Sequence, residues 1–396
     1  MRIRRCVHLL IEPREQIEFS LESLADGGDG IAARIELFAL AAHLDAEVAV
    51  DADEVAILNS ITTATWREFD ALASEHAATR LRGLLEKGLL ISDAPEFEPA
   101  RARDETLRAA NWQSHSAVAH YFGRWRGVTS GDDSDNSGVT TMRDLFARLG
   151  APPPHVLERV PRAQRLDLPS PRHTSIDAIL ARRATCRNFD AGKPVDNATF
   201  ADIMHRVFGA QAAYEIHADN VVIKRNSPSG GGLHPTEAYV VVQNVDGIAP
   251  GLYHYHPIDH ALEPLPPLAG GDLSAFIRMM VAAQKYFADA AVFVVMAARF
   301  ARTFWKYRNH SKAYRAIILD VGHLSQNLYL SATEFDLGAF ITAAINEVEI
   351  EQAFGLDPLI ESPLAVVGFG HRGPECVTFE FDPNRAVWPE GVSQPR

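Results

Sequence analysis

Two arginines and a hydroxyl, closely spaced near the middle of the chain, could bind an anionic ligand. In Arg183-Ala-Thr-Cys-Arg187 the guanidiniums lie four residues apart, with Thr185 between them. Two cations at this spacing can converge on one dianion, and the hydroxyl can donate a hydrogen bond to it. The alternative is an ordinary helix end, whose cations lie close to the negative end of the helix dipole.

Two glycine-containing segments could bring main-chain N–H groups close to the same kind of ligand. The first is Ser227-Pro-Ser-Gly-Gly-Gly232, and the second is Gly368-Phe-Gly-His-Arg372, which adds a cation. Glycine permits φ > 0 and a close approach of the backbone to a flat or anionic group. Taken alone, the first segment is more typical of a tight loop between strands, and the second fits a strand followed by a turn equally well.

A lysine and a tyrosine stand together at Lys306-Tyr307 and could move a proton. A tyrosine beside an ammonium group has a more accessible phenolate and can act as a base. A desolvated, neutral lysine could do the same, and the alternative is an exposed lysine next to a packed tyrosine. For His323 we favour a hydrogen-bonded core or interface histidine.

A metal site is not expected at His254 and His256. These residues share one face if the segment is a strand, but the sequence places no third ligand next to them.

Composition limits the classes of protein to be considered. The 396 residues suggest two or three domains, and the net charge of −13 argues against nucleic acid as the main partner. The chain has no uninterrupted apolar run of the ~18 residues that a membrane helix needs. The three cysteines are far apart, which favours a reduced, cytoplasmic location.

The patterning divides the chain into three parts. Residues 1–110 read as a small mixed domain, in which apolar spacing predicts helices over Ala32–Leu44 and Ala77–Lys87. Gly88 should end the second helix, and the strand Leu89–Ile91 follows it, as at the end of a winged-helix unit. Residues 111–170 read as a connector.

The connector should contain a helix over Trp112–Arg126 and a flexible acidic loop at Ser130–Gly138. Residues 171–396 alternate helices and strands, which predicts an α+β domain around a mostly antiparallel sheet. There Asn197 is expected to cap a helix, and Tyr314–Thr333 to form a long one.

In this order the motifs resemble the flavin-dependent nitroreductase superfamily, and most closely its SagB-type branch of peptide-modifying azoline dehydrogenases. The resemblance lies in the C-terminal domain. It implies a nitroreductase-like FMN domain with a small N-terminal winged-helix-like domain. Peptide recognition is one role for the N-terminal domain; a structural or dimer-forming role and, against the acidic charge, DNA binding are the alternatives.

The resemblance also implies roles for individual residues. Catalysis would fall to Lys306 and Tyr307, although Arg308 stands where the family usually has glycine. The cofactor-binding residues would be Arg183, Thr185, Arg187, Pro228, Ser229, Gly230, Gly231, Gly368, Gly370 and Arg372. Thr185 replaces the more usual serine, and Ala184 a more usual arginine or histidine.

The function implied is an FMN-dependent dehydrogenase that oxidises azoline to azole rings in a ribosomally made precursor peptide. FMN is preferred to FAD because no G-x-G-x-x-G signature is present. The resemblance implies a homodimer with flavin sites at the subunit interface, and a cyclodehydratase is a further candidate partner. Alternatives are an NAD(P)H-fed nitro or quinone reductase, another peptide desaturation, and a non-catalytic peptide-binding scaffold with a degenerate flavin site.

Overall fold

The computed structural model describes residues 1–130, 142–217 and 220–388. Apart from its first residue, the acidic loop expected at Ser130–Gly138 lies outside the described residues. In the N-terminal region the strands are β1 (Arg2–Arg5), β2 (Leu9–Phe19), β3 (Ile31–Ala41), β4 (Val48–Val50), β5 (Arg67–Glu68) and β6 (Leu90–Ser92). Its helices are α1 (Leu21–Ala25), α2 (Ala52–Ser60), α3 (Phe69–Ala73), α4 (Ala78–Glu86) and α5 (Glu98–Ala109).

Two small antiparallel sheets, ordered β5-β1-β6 and β2-β3-β4, build this region with the helices. The helix predicted over Ala32–Leu44 is wrong, because that segment is strand β3 and pairs with β2 along its whole length. Gly27 and Gly30 adopt φ of 80° and 78° in the turn between the two strands. Gly88, at φ 71°, follows the end of α4 as predicted.

The connector contributes α6 (Ser114–Phe122) and α7 (Met142–Leu149). Helix α6 is shorter than predicted, because Gly123 follows its last residue and Trp112 precedes its first turn. In the C-terminal region the helices are α8 (Ser175–Arg182), α9 (Asn197–Phe208), α10 (Leu273–Met280), α11 (Phe300–Phe304), α12 (Ala313–Glu334) and α13 (Glu347–Phe354).

The strands of that region are β7 (Ala212–His217), β8 (Asn220–Lys224), β9 (Thr236–Val242), β10 (Gly251–His256), β11 (Ala261–Pro264), β12 (Val292–Arg299), β13 (Gly338–Thr342) and β14 (Glu361–Gly370). Six of them form one sheet ordered β11-β10-β9-β12-β14-β13, and β7 pairs with β8. Every pair in the large sheet is antiparallel, which confirms the predicted α+β class.

Helices pack on both faces of the large sheet. The apolar faces of α9 and α12 cover one side of it, and α10 and α13 cover the other. Asp196, rather than the predicted Asn197, caps α9, because its carboxylate accepts the N–H of Thr199 at 2.9 Å. The long helix was predicted correctly, and it occupies the centre of the site described below.

A third apolar cluster joins the two halves of the chain. Trp112 is almost fully buried, and its indole N–H donates to the carbonyl of Leu359 at 3.1 Å. Its ring packs against Phe300 and Phe304, and Ala42 and Leu107 of the N-terminal region belong to the same cluster. The N-terminal region is therefore packed directly on the C-terminal region.

Candidate functional site

Helix α12 separates two groups of residues that sequence analysis associated with one site. Successive residues of a helix are about 100° apart. Tyr314, Ile318 and Tyr329 therefore lie on one side of the helix, which we call the cavity side. Asp320 and His323 lie on the other, which we call the loop side because it holds the glycine loop.

On the loop side a buried carboxylate fixes that loop. The hydroxyl of Ser229 donates to Asp320 Oδ2 at 2.5 Å, and the N–H of Gly230 donates to Oδ1 at 3.0 Å. The Ser229 hydroxyl also accepts the N–H of His234 at 2.9 Å. Burial raises the pKa of the Asp320 carboxyl. Sequence analysis assigned no role to Asp320; the available signal was one carboxylate within an otherwise apolar stretch of the helix.

His323 lies one turn further along the same side. Its Nδ1 is 3.2 Å from the carbonyl of Pro228, and the residue is exposed. It is thus hydrogen-bonded, as we favoured, but it is not a core residue.

Lys306 and Tyr307 reach the same loop from the segment that follows α11. A side chain at Gly231 would place its Cβ 2.7 Å from Tyr307 Oη and 3.1 Å from Lys306 Nζ. Gly231 also has φ of 70°, where a side chain is strained. The ammonium is 5.5 Å from the centroid of the tyrosine ring. The structure therefore brings the two predicted catalytic residues and the predicted glycine loop together.

On the cavity side is a cavity of about 470 Å³. This volume is typical of small-molecule and cofactor sites, which span roughly 300–1,000 Å³. Most of its wall is apolar, and a few polar groups interrupt it. Its lining comes from α6, α12, α13, β14 and the end of β13, namely Ala119, His120, Gly123, Arg124, Tyr314, Ile318, Val321, Gly322, Ile341, Ala343, Glu347, Pro363, Leu364 and Ala365.

Two residues of the first arginine motif are linked to the cavity wall through Tyr329, which does not itself line the cavity. The hydroxyl of Thr185 is 3.0 Å from Tyr329 Oη, and that oxygen accepts the N–H of Ile341 in the cavity wall at 3.2 Å. The guanidinium of Arg183 is 5.4 Å from the centroid of the Tyr329 ring. A continuous path of contacts therefore runs from the cavity wall to Thr185 and Arg183.

The other two predicted cations, Arg187 and Arg372, are joined by a carboxylate. Glu380 is fully buried; it accepts the main-chain N–H of Arg187 at 2.6 Å and pairs with the guanidinium of Arg372. The guanidinium of Arg187 is 5.9 Å from the centroid of the Tyr286 ring. Arg372 thus has an internal partner, and its contact with a cofactor stays a prediction.

The glycines near the C-terminus have a packing role. A Cβ at Gly368 would lie 2.3 Å from the ring of Phe340, and a Cβ at Gly370 would lie 2.8 Å from the main-chain nitrogen of Ala291. Both glycines make room for neighbouring groups in the core. Their contact with a cofactor also stays a prediction.

Burial shifts the pKa of three titratable groups that line the cavity. Burial raises the pKa of Glu347 to about 7, and one of its oxygens accepts the N–H of Trp125 at 2.8 Å. Burial lowers the pKa of His120 to about 3 and raises the pKa of Tyr314 to about 12. Glu347 is therefore a cavity group that can gain or lose a proton near neutral pH.

Two further features are absent from residues 1–130, 142–217 and 220–388. No group of three or more His, Cys, Asp or Glu residues there is placed to hold a metal ion. In those same segments no helix combines the length and the apolar character that crossing a membrane requires.

Comparison with known proteins places these features in context. Residues 180–371 match the sequence profile of the nitroreductase family. A protein of Methanocaldococcus jannaschii named as a nitroreductase is 27% identical over 207 residues, which cover 52% of this chain and 96% of that protein. The trifolitoxin-processing protein TfxB of Rhizobium leguminosarum bv. trifolii is 26% identical over 302 residues, covering 74% and 79% respectively. The microcin B17-processing protein McbC of Escherichia coli is 28% identical over 161 residues, covering 37% and 54%.

Proposed function

We propose, from the match of residues 180–371 to the nitroreductase family profile, that the chain is an FMN-dependent dehydrogenase acting on a ribosomally made precursor peptide. The names of TfxB and McbC describe both as processing proteins of peptide products. The 302 aligned residues of TfxB are more than the segment 171–396 contains, so that similarity extends beyond the family domain. A role in peptide maturation accounts for this better than a role as a plain reductase.

The cofactor proposal rests on the series of contacts that links the cavity wall through Tyr329 to Thr185 and Arg183. The apolar wall suits a flat ring system, and the hydroxyl and guanidinium suit a phosphate at its end. Arg183, Thr185 and Arg187 would hold the phosphate and the chain that leads to it. When bound, FMN would supply the hydride acceptor.

A homodimer would complete the site. The exposed surface of α12 around Leu319 lies between the cavity side and the loop side. If two copies packed through this surface about a twofold axis, the loop of one copy would lie over the cavity of the other. In that arrangement Pro228, Ser229, Gly230 and Gly231 would border the ring of the cofactor that the second copy binds.

Lys306 and Tyr307 would then perform the acid–base step. Oxidising an azoline ring to an azole removes one proton and one hydride from the ring. We assign the proton to Tyr307 Oη, beside the Lys306 ammonium, and the hydride to the cofactor. The electrons leave to O2, which we assign as the final acceptor.

The N-terminal region is proposed to bind the leader of the precursor peptide, and a cyclodehydratase that makes the azoline is a further proposed partner.

The similarity to the protein named as a nitroreductase favours one alternative function, an NAD(P)H-dependent nitro or quinone reductase.

One experiment separates these functions. Purified protein reconstituted with FMN is incubated in air with an azoline-containing precursor peptide, and the product is analysed by mass spectrometry. We expect a loss of two hydrogens per ring, and no loss with the Lys306→Ala variant. Rapid bleaching of the flavin by NADPH together with an unchanged peptide would contradict the proposal and support the reductase.

A further inference from the structure

The cavity has a wall that the nitroreductase family domain does not supply. Ala119, His120, Gly123 and Arg124 belong to helix α6 and the turn after it, which precede residue 180 by more than fifty positions. They line the cavity together with the strand residues Ile341 and Leu364. A region outside the matched domain therefore shapes the space in which a ligand would lie.

This wall is held firmly to the C-terminal region. Nδ1 of His120 is 3.0 Å from Tyr314 Oη, so a hydrogen bond joins helix α6 to the cavity side of α12. The guanidinium of Arg124 pairs with Glu351 at 2.5 Å, and both side chains are buried. A loose surface segment would lack such a buried ion pair.

The residues after the helix continue this attachment. The N–H of Trp125 donates to Glu347, and the carbonyl of Trp125 accepts the N–H of Val348 at 3.2 Å. Asn346, almost fully buried, exchanges two hydrogen bonds of 2.7 and 3.0 Å with the main chain of Val128. The wall is thus a fixed part of the cavity.

The same helix is also tied to the N-terminal region. The hydroxyl of Tyr121 donates to Asp45 at 2.7 Å and accepts a hydrogen bond from Arg103 at 2.8 Å. Adjacent residues of one helix, His120 and Tyr121, therefore contact the cavity and the N-terminal region respectively.

We propose that helix α6 is a wall of the cofactor-binding cavity, with the small side chain of Ala119 leaving room for the flavin ring. This inference rests on the proposed function, because it takes FMN as the ligand. Ala119 is exposed toward the cavity, and the neighbouring imidazole of His120 is neutral, so this part of the wall offers a flat ring an uncharged surface.

The test uses the full chain with Ala119→Leu and Ala119→Trp. Apoprotein is titrated with FMN, and binding is followed by quenching of flavin fluorescence. Larger side chains would fill the space of the ring, so we expect weaker binding by about tenfold for leucine and up to about a hundredfold for tryptophan. Circular dichroism and the melting temperature confirm that each variant is folded.

The matched control is His115→Trp. His115 is exposed one turn earlier on the same helix and does not line the cavity, so its FMN affinity should equal that of the wild type. FMN affinities within about twofold of the wild type in a folded Ala119 variant would overturn this inference alone. A loss of FMN affinity in the His115 variant as large as in the Ala119 variants would overturn it as well. If the tryptophan variant does not fold, the leucine variant decides, and a wild type that fails to bind FMN overturns the proposed function instead.

Discussion

The two sides of helix α12 differ in what they would contribute to the proposed catalytic site. The loop side has Lys306 and Tyr307, the proposed acid–base groups, and its polar loop is hydrogen-bonded to Asp320. The cavity side has the space and the path to Arg183, but neither Lys306 nor Tyr307 lines the cavity. One helix thus separates the groups that could move a proton from the space that could hold a cofactor. The proposed reaction would therefore need a second copy to bring the two halves together.

The largest effect is expected on the loop side. Tyr307→Phe keeps the ring but removes the hydroxyl, and loss of a general base typically lowers the rate by about 10²–10⁴. Lys306→Ala should have a similar effect, and the double variant should be scarcely slower than either single one if the two act as a unit. Single-turnover reduction of bound flavin by azoline peptide measures this. Wild-type rates in both yellow, folded single variants would show that the pair is structural.

A smaller effect, on binding, is expected from the arginine motif. Charge-assisted contacts contribute ~1.5–3 kcal/mol each, so Arg187→Ala should weaken FMN binding by about ten- to a hundredfold. Arg182→Ala is the matched control, because Arg182 is paired with Asp336 on the surface. Titration of apoprotein with FMN measures both. Equal affinities of the Arg187 variant and the wild type would remove Arg187 from the site.

Mixing two inactive variants tests whether the halves come from different copies. At an FMN concentration too low to fill the Arg187→Ala protein, that variant and Tyr307→Phe should each be inactive. When the two variants are unfolded and refolded together, about half of the dimers should be mixed, and each mixed dimer would contain one intact site of its two. About a quarter of the wild-type activity should therefore return. Activity no higher than that of the separate variants would place both halves in one copy.

Two neighbouring glycines allow a sharper test of the loop side. Gly231 and Gly232 both have φ of 70°, but only at Gly231 would a new Cβ meet Tyr307 and Lys306. Alanine at either position should cost about 1 kcal/mol in the free energy of unfolding because of the backbone strain. Alanine at 231 should in addition slow turnover by about tenfold, because it displaces the tyrosine hydroxyl. Equal turnover in the two variants would mean that the close contact between position 231 and Tyr307 does not affect catalysis.

A last test concerns the pH dependence of stability, not activity. Because burial raises the pKa of Glu347 to about 7, the folded protein binds a proton there that the unfolded chain releases at lower pH. The free energy of unfolding should therefore fall as the pH rises from about 4.5 toward 7. Glu347→Gln keeps an oxygen for the N–H of Trp125 and should remove this part of the slope. Urea denaturation of the wild type and of the Glu347→Gln variant across this pH range measures the difference between their free energies of unfolding. Equal dependence of the two free energies on pH would contradict the raised pKa of Glu347.

The sequence predicted what depends on short patterns. The strand–helix alternation, the long helix α12 and the motifs at Arg183, Gly231 and Lys306 are all readable from neighbouring residues. The error at β3 has a physical cause. Alanine, leucine and glutamate favour a helix there, but pairing with β2 over the full length of the strand overrides that local preference.

What the sequence did not predict depends on contacts between distant segments. Glu380 lies 193 residues from the main-chain N–H of Arg187 that it accepts, and Asp320 lies 91 residues from Ser229. Helix α6, which lines the cavity, is likewise far from α12 along the sequence. No local periodicity reports such pairs, because each depends on how the whole chain is folded.

The apolar cluster around Trp112 has a consequence for how the protein unfolds. Because Ala42 and Leu107 are buried against Phe300 and Phe304, removal of residues 1–110 would expose aromatic surface on the remaining chain. Such a shared core couples the two regions thermodynamically, so the chain should melt as one cooperative unit in calorimetry. The N-terminal region would then be a structural requirement for the whole chain, and point substitutions on its outer surface are better suited than deletion to test whether it recognises a peptide.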